Sequence, residues 1–202
     1  MARDHLERAA GGGLGQATQD GAIFVSAGGM VDPVPDEFVQ GGLSEQEKRD
    51  SVVRLAFGGR TDAFDRFLAE IERAIPPGTI VILRGSAVTG RRWKDDAPFD
   101  SDGPGTSDLD LTLVGPDAVK LFTITGFFVP GVHSRPLSEE DPDIAPELVP
   151  LRQRLMALAG RPVNIQASRD IVIQFRGDLL GQPYLTLLEK IEEARDASAA
   201  HL

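Results

Sequence analysis

Residues 108–114 read Asp-Leu-Asp-Leu-Thr-Leu-Val, a strict alternation of polar and apolar side chains. That period belongs to a β-strand, because successive strand side chains point to opposite faces. Leu109, Leu111 and Leu113 are therefore expected on a core face, with Asp108, Asp110 and Thr112 on the other. Two carboxylates held close on one strand face repel each other, and a cation between them relieves that cost. Mg2+ or Mn2+ suits such a position, because the ion takes oxygen ligands and keeps sites open for phosphate oxygens.

A second strand is expected upstream. Thr79–Arg84 reads TIVILR, a short β-branched run with the look of a buried strand, and Gly85-Ser86 follows at once. Glycine lets a backbone approach phosphate closely. A serine hydroxyl and the first amides of a following helix can donate to it. Residues 90–107 form a polar loop punctuated by glycine and proline. Before the strands, Ser44-Glu45-Gln46-Glu47 fits a capping box opening a helix with Val52, Val53, Leu55, Ala56 and Phe57 apolar, closed by Gly58-Gly59. Thr61 is expected to cap a second helix carrying Phe64, Phe67, Leu68, Ile71 and Ile75, stopped at Pro76-Pro77-Gly78.

Beyond the acidic strand, Leu121–Val129 is apolar and ambiguous, and Pro130–Pro142 reads as a loop. Ile144–Ala159 is expected as a helix, with Asp143 as its cap and Gly160 as terminator. Val163–Gln166 and Ile171–Phe175 read as short strands, and Pro183–Arg195 as a closing helix with Leu185, Leu188 and Ile191 apolar. Residues 1–43, rich in glycine and with a short strand possible at Ala22–Ser26, read as a flexible N-terminal region before a domain over 44–202. Interleaved helices and strands give an α/β (α+β) class with a mixed sheet flanked by helices.

Composition narrows the partners. The chain has 202 residues, 41% of them hydrophobic, which suits one globular domain with a real core. No apolar run approaches the ~20 residues of a membrane span, and the N-terminus lacks a signal peptide's apolar stretch. A cytoplasmic location is the expectation. With no cysteine, disulfides and thiolate chemistry are excluded. The net charge of -10 disfavours long nucleic acids, whose binding rests on cations neutralising phosphates.

The paired motifs R-G-S-A-V-T-G and S-D-L-D-L-T-L-V-G, spanning Ile80 to Gly115, resemble the signature of the DNA polymerase β-like nucleotidyltransferase superfamily. The resemblance implies a mixed sheet with helices, a nucleoside triphosphate bound with Mg2+ or Mn2+, and transfer of a nucleoside monophosphate to a hydroxyl. It implies that Gly85 and Ser86, with Arg84 beside them, hold phosphates, and that Asp108 and Asp110 ligate metal and carry the catalysis. Small stand-alone members modify proteins, transfer RNA ends or small hydroxyl compounds. The acidic charge turns the expectation towards a protein or small-molecule acceptor and away from transfer RNA.

The chain departs from that pattern twice. The 21 residues between Ser86 and Asp108 exceed the family's usual gap. They carry Arg91, Arg92 and Lys94, expected to reach phosphate, and Trp93, able to stack a base. In addition, the family's third carboxylate, on a later strand, has its counterpart here in Asn164 within Arg161-Pro162-Val163-Asn164-Ile165-Gln166. A neutral amide cannot take a proton from a hydroxyl, so Asp170 is the first substitute, with the loop acids Asp100, Asp102 and Asp143 behind it. The competing reading is a degenerate transferase that binds nucleotide or a protein partner without turnover. His5, His133 and His201 are expected as surface residues, and Glu139, Glu140, Asp141 and Asp143 as a solvated acidic loop.

Overall fold

The computed structural model describes residues 42–171 and 182–191. Helix α1 (Glu45–Ala56) starts as its sequence dictates. The Ser44 hydroxyl accepts from the Glu47 amide and the Glu47 carboxylate accepts from the Ser44 amide at 2.8 Å, so two otherwise orphaned donors are satisfied. Gly58 and Gly59 turn the chain with positive φ. Helix α2 (Thr61–Ala74) follows, with Arg60 and not Thr61 at its cap and no side-chain capping bond. The α2 face made by Ala63, Phe64, Phe67 and Ile71 is buried, and Phe57 meets Phe64 and Phe67 edge-on at 5.3 and 5.2 Å. Each fully buried aromatic or aliphatic side chain contributes roughly 1.5–3 kcal/mol.

Among the described residues six strands make one mixed sheet: β1 (Thr79–Arg84), β2 (Leu109–Val114), β3 (Phe127–Val129), β4 (His133–Ser134), β5 (Val163–Ser168) and β6 (Tyr184–Lys190), in the order β3-β4-β5-β2-β1-β6. β1 runs antiparallel to β2 and β6, while β2 and β5 are parallel. Between β1 and β2 lies a single helical turn, α3 (Ser86–Thr89). Helix α4 (Val149–Ala159) is entered through a 3-10 turn at Pro146–Leu148, so the expected start at Ile144 and the Asp143 cap give way to Leu148. Its end is as expected: Gly160 is left-handed, and its amide donates to the Met156 carbonyl.

The alternation in β2 holds. Leu109, Leu111 and Leu113 join Val163, Ile165 and Ala167 of β5 and the apolar sides of α1, α2 and α4 in one core, which places these helices on one face of the sheet. Arg84, Asp110, Thr112, Asn164 and Gln166 lie on the other face.

Further expectations are corrected. Residues 184–190 form strand β6, not a helix. Its register against β1 slips between Val81 and Ile82, leaving Leu187 as an extra residue. The bulge lets Leu185 and Leu188, three apart, both face the core partners Leu83 and Val81, a spacing that mimics a helix. Pairing along the open edge of β1 then outweighs the helical propensity of leucine, glutamate and lysine. The supposed loop Pro130–Pro142 contains β4, and His133 is buried there, stacked on Phe128 with ring centres 6.0 Å apart. The acidic loop is not wholly solvated, since Arg135 donates to both Asp141 oxygens at 2.6 and 2.7 Å. The ambiguous stretch at 121–129 resolves into 3-10 turns at Ala118–Leu121 and Ile124–Gly126 followed by β3. The readings for residues 1–41, the strand at Ala22–Ser26 included, and those for 172–175 and 192–195 lie outside the described residues. Among the described residues no helix is long and apolar enough to cross a membrane.

Candidate active site

Arg84 of β1, Asp110 of β2 and Asn164 of β5 stand opposite one another, forming one row across three adjacent strands. Residues paired in this way project from the same face with their Cβ atoms within roughly 5 Å of their neighbours. Asp108 lies one residue before β2 and is exposed; Asp110 is half-buried. The entry of β2 is fixed by the bond from the Leu109 amide to the Pro162 carbonyl, 3.0 Å, just before β5 begins.

The Asn164 amide nitrogen joins the two acids. It donates to Asp108 Oδ2 at 2.6 Å and to Asp110 Oδ1 at 3.1 Å. Both partners are acceptors, which dictates that the NH2 end faces them and the oxygen faces away. The amide thus supplies two hydrogen bonds but no charge to a pair of carboxylates. In the next row Gln166 donates to Thr112 Oγ1 at 3.1 Å and accepts from Arg84 Nη2 at 3.4 Å, which draws the guanidinium across β2 towards β5.

Gly85 sits at the end of β1 with φ +92°, a conformation that strains any other residue. A side chain added there would meet Asp110 Oδ2 at 3.5 Å, so the bare glycine keeps the ground beside that carboxylate open. Ser86 is half-buried, and its hydroxyl makes no hydrogen bond among the described residues. The helix it begins has only four residues, and its Val88 amide already donates to Gly85. The macrodipole expected to assist an anion is therefore slight.

The long loop does not bring its arginines to this row. Arg91 donates to the Asp96 carbonyl at 2.8 Å and to its carboxylate at 3.1 Å. Arg92 spans Asp95 at 2.9 Å and Asp102 at 3.0 Å. Trp93 and Lys94 are exposed on the turn between. Sequence reasoning missed what organises the loop. Asp100, with φ +57°, accepts from the Gly105 and Ser107 amides at 3.0 and 2.9 Å and from both Arg161 terminal nitrogens at 3.0 and 3.3 Å. Arg161 also donates to the Ser107 and Leu55 carbonyls and lies 4.4 Å over the Phe99 ring. Burial raises the Asp100 pKa, but the Arg161 hydrogen bond, the two amides and the arginine charge outweigh it and bring the carboxyl down to about 2. No sequence signal joins residues 61 positions apart. The glycines at 103 and 105 announce only a tight loop.

The substitutes for a third acid do not reach the row. Asp170 lies beyond Ser168, at the opposite end of β5 from Asn164, with about 13 Å of strand between. Asp100 and Asp102 are committed to Arg161 and Arg92. Asp143 precedes Ile144, whose carbonyl accepts from Thr123 near β3, the far edge of the sheet. Among the described residues no group of three or more His, Asp or Glu side chains gathers into a metal-ligating cluster. The donor set at the row fits one divalent cation between two carboxylates. It does not fit a pair of cations bridged by three acids. No family model matches the chain, and neither a curated protein nor a solved structure gives a match.

Proposed function

We propose that this chain is a nucleotidyltransferase that transfers a nucleoside monophosphate from a nucleoside triphosphate to a hydroxyl of a protein or small-molecule acceptor. The observation that carries the proposal is the convergence of Asp108 Oδ2 and Asp110 Oδ1 on one amide nitrogen beside an open Gly85. Oxygens that share one small donor are placed to share one small cation. Asp108 and Asp110 would hold Mg2+ or Mn2+. Such an ion neutralises phosphate oxygens and stabilises a departing pyrophosphate. Gly85 leaves room for a phosphate, and the Ser86 hydroxyl and the Arg84 guanidinium supply donors to it.

A second reading has its own support. Asn164 occupies the place where a third acid would accept the acceptor's proton, and an amide cannot do so. The same site then binds a nucleotide without turning it over. Calorimetric titration of ATP and GTP with Mn2+, followed by measurement of pyrophosphate release with and without candidate acceptors, separates the two. Binding with release supports the transferase. Saturable binding with no release, not even self-modification, supports the binding module. No triphosphate binding at all sinks both. In either reading Asp110→Ala should abolish cation-dependent binding, and normal binding by that variant would remove the assigned role.

A further inference from the structure

A triphosphate brings several negative charges to a row that already holds two carboxylates. Arg91 and Arg92 are occupied by Asp95, Asp96 and Asp102, so any cation beyond Arg84 and the metal ion has to come from elsewhere. Lys48 of α1 is fully buried, an unusual place for a lysine. Its ammonium is 2.7 Å from the Glu45 carboxylate and 5.8 Å from the centre of the Tyr184 ring. Tyr184 pairs with Arg84 across β6 and β1, so the ring lies beside the residue that precedes Gly85. Three residues further along α1, on the same helix face, the Ser51 hydroxyl donates to the Ala87 carbonyl at 3.1 Å and ties the helix to the turn that Ser86 begins. Helix and strand pairing thus bring Lys48 to the Gly85-Ser86 end of the sheet. Its partner Glu45, the first residue of α1, has a side chain about half exposed, 48%.

Resting on the nucleotide-binding reading, we propose that Lys48 is a further phosphate-binding residue of this site, held by Glu45 until the terminal phosphates of a nucleoside triphosphate displace that carboxylate. A lysine suits the role because its compact charge follows a phosphate without demanding a planar fork. Glu45 keeps the ammonium paired while it waits, and Tyr184 gives it a favourable aromatic face.

Affinities of ATP and AMP, each measured with Mn2+ by calorimetry, test the assignment in the full chain, Lys48→Met and Glu45→Gln. Lys48→Met should weaken ATP about tenfold, the loss of one charge-assisted contact, and leave AMP within about twofold. A purely structural lysine would move both ligands together. Glu45→Gln removes the competitor and should tighten ATP a few-fold, a result that does not depend on Lys48→Met folding. Equal losses for ATP and AMP in Lys48→Met, or unchanged or weaker ATP binding in Glu45→Gln, overturn the role of Lys48. Failure of the unaltered chain to bind ATP overturns the nucleotide reading instead.

Discussion

Asp100 and the Asp108/Asp110 pair lie close together in the sequence, within one stretch from 100 to 110, and face opposite situations. The Asp100 carboxylate is held by a guanidinium and two backbone amides, and the arginine that holds it is only 7% exposed. Asp108 and Asp110 share the Asn164 amide, which brings two hydrogen bonds and no charge, and Arg84 stands opposite Asp110 in the same row. A carboxylate whose charge is balanced within the fold contributes to stability. Two carboxylates gathered on one small donor are, in the reading proposed above, a place for a cation from solution. That contrast separates the structural acid from the pair proposed to hold a cation.

The largest effect should come from breaking the balanced pair. Arg161→Met leaves Asp100 partly buried without its cation and releases the Ser107 and Leu55 carbonyls. A loss of about 3–5 kcal/mol in urea unfolding is expected. A loss below about 1 kcal/mol would mean that the loop is held by something else. The pH dependence follows from the same pair. The Asp100 pKa is lowered in the fold, to about 2 from 3.8. Its contribution is therefore fully present above about pH 4 and is lost as the pH falls towards about 2. Its size is about 2 kcal/mol at most, because the Asp100 side chain is 21% exposed. Asp100→Asn should flatten the stability profile across that same interval relative to the unaltered chain; parallel profiles would remove the role of this carboxylate.

The same contrast explains what is legible in the sequence. The Asp-x-Asp strand, the Gly-Ser turn and the core faces of β2 and β5 can be read because a period of two is local information. The capping box at Ser44 is equally local. Strand β6 reads as a helix because a bulge sets Leu185 and Leu188 on one face at helical spacing. The destinations of Arg91 and Arg92 are hidden because a basic side chain announces charge but not partner. Acids in their own loop take both side chains. Arg161 meets Asp100, and Lys48 meets Tyr184, only in the folded chain.

Adding an acid to the Asp110 row should sharpen the comparison. Asn164→Asp replaces the bridging amide with a third carboxylate opposite Asp110. Without divalent cations the chain should lose about 1–2 kcal/mol through like-charge contact and the two lost hydrogen bonds. Added Mn2+ should restore that stability, and should bind the variant more tightly than the unaltered chain. A variant that is equally unstable with and without Mn2+ would show that the row does not gather around a cation.

The smallest effect carries the opposite sign. Asp108 is exposed, and Asp108→Asn removes one member of the repelling pair while leaving an amide oxygen to accept from Asn164. In cation-free buffer the fold should be unchanged or gain up to about 0.5 kcal/mol, because repulsion is relieved and no buried group is left without a partner. Cation binding should weaken at the same time. A residue kept for stability cannot behave in this way, since its removal has to cost something in the fold. Urea unfolding of the variant beside Asp100→Asn makes the comparison directly. If Asp108→Asn instead loses more than about 1 kcal/mol, the two acids are held together for the sake of the fold and not for a cation between them.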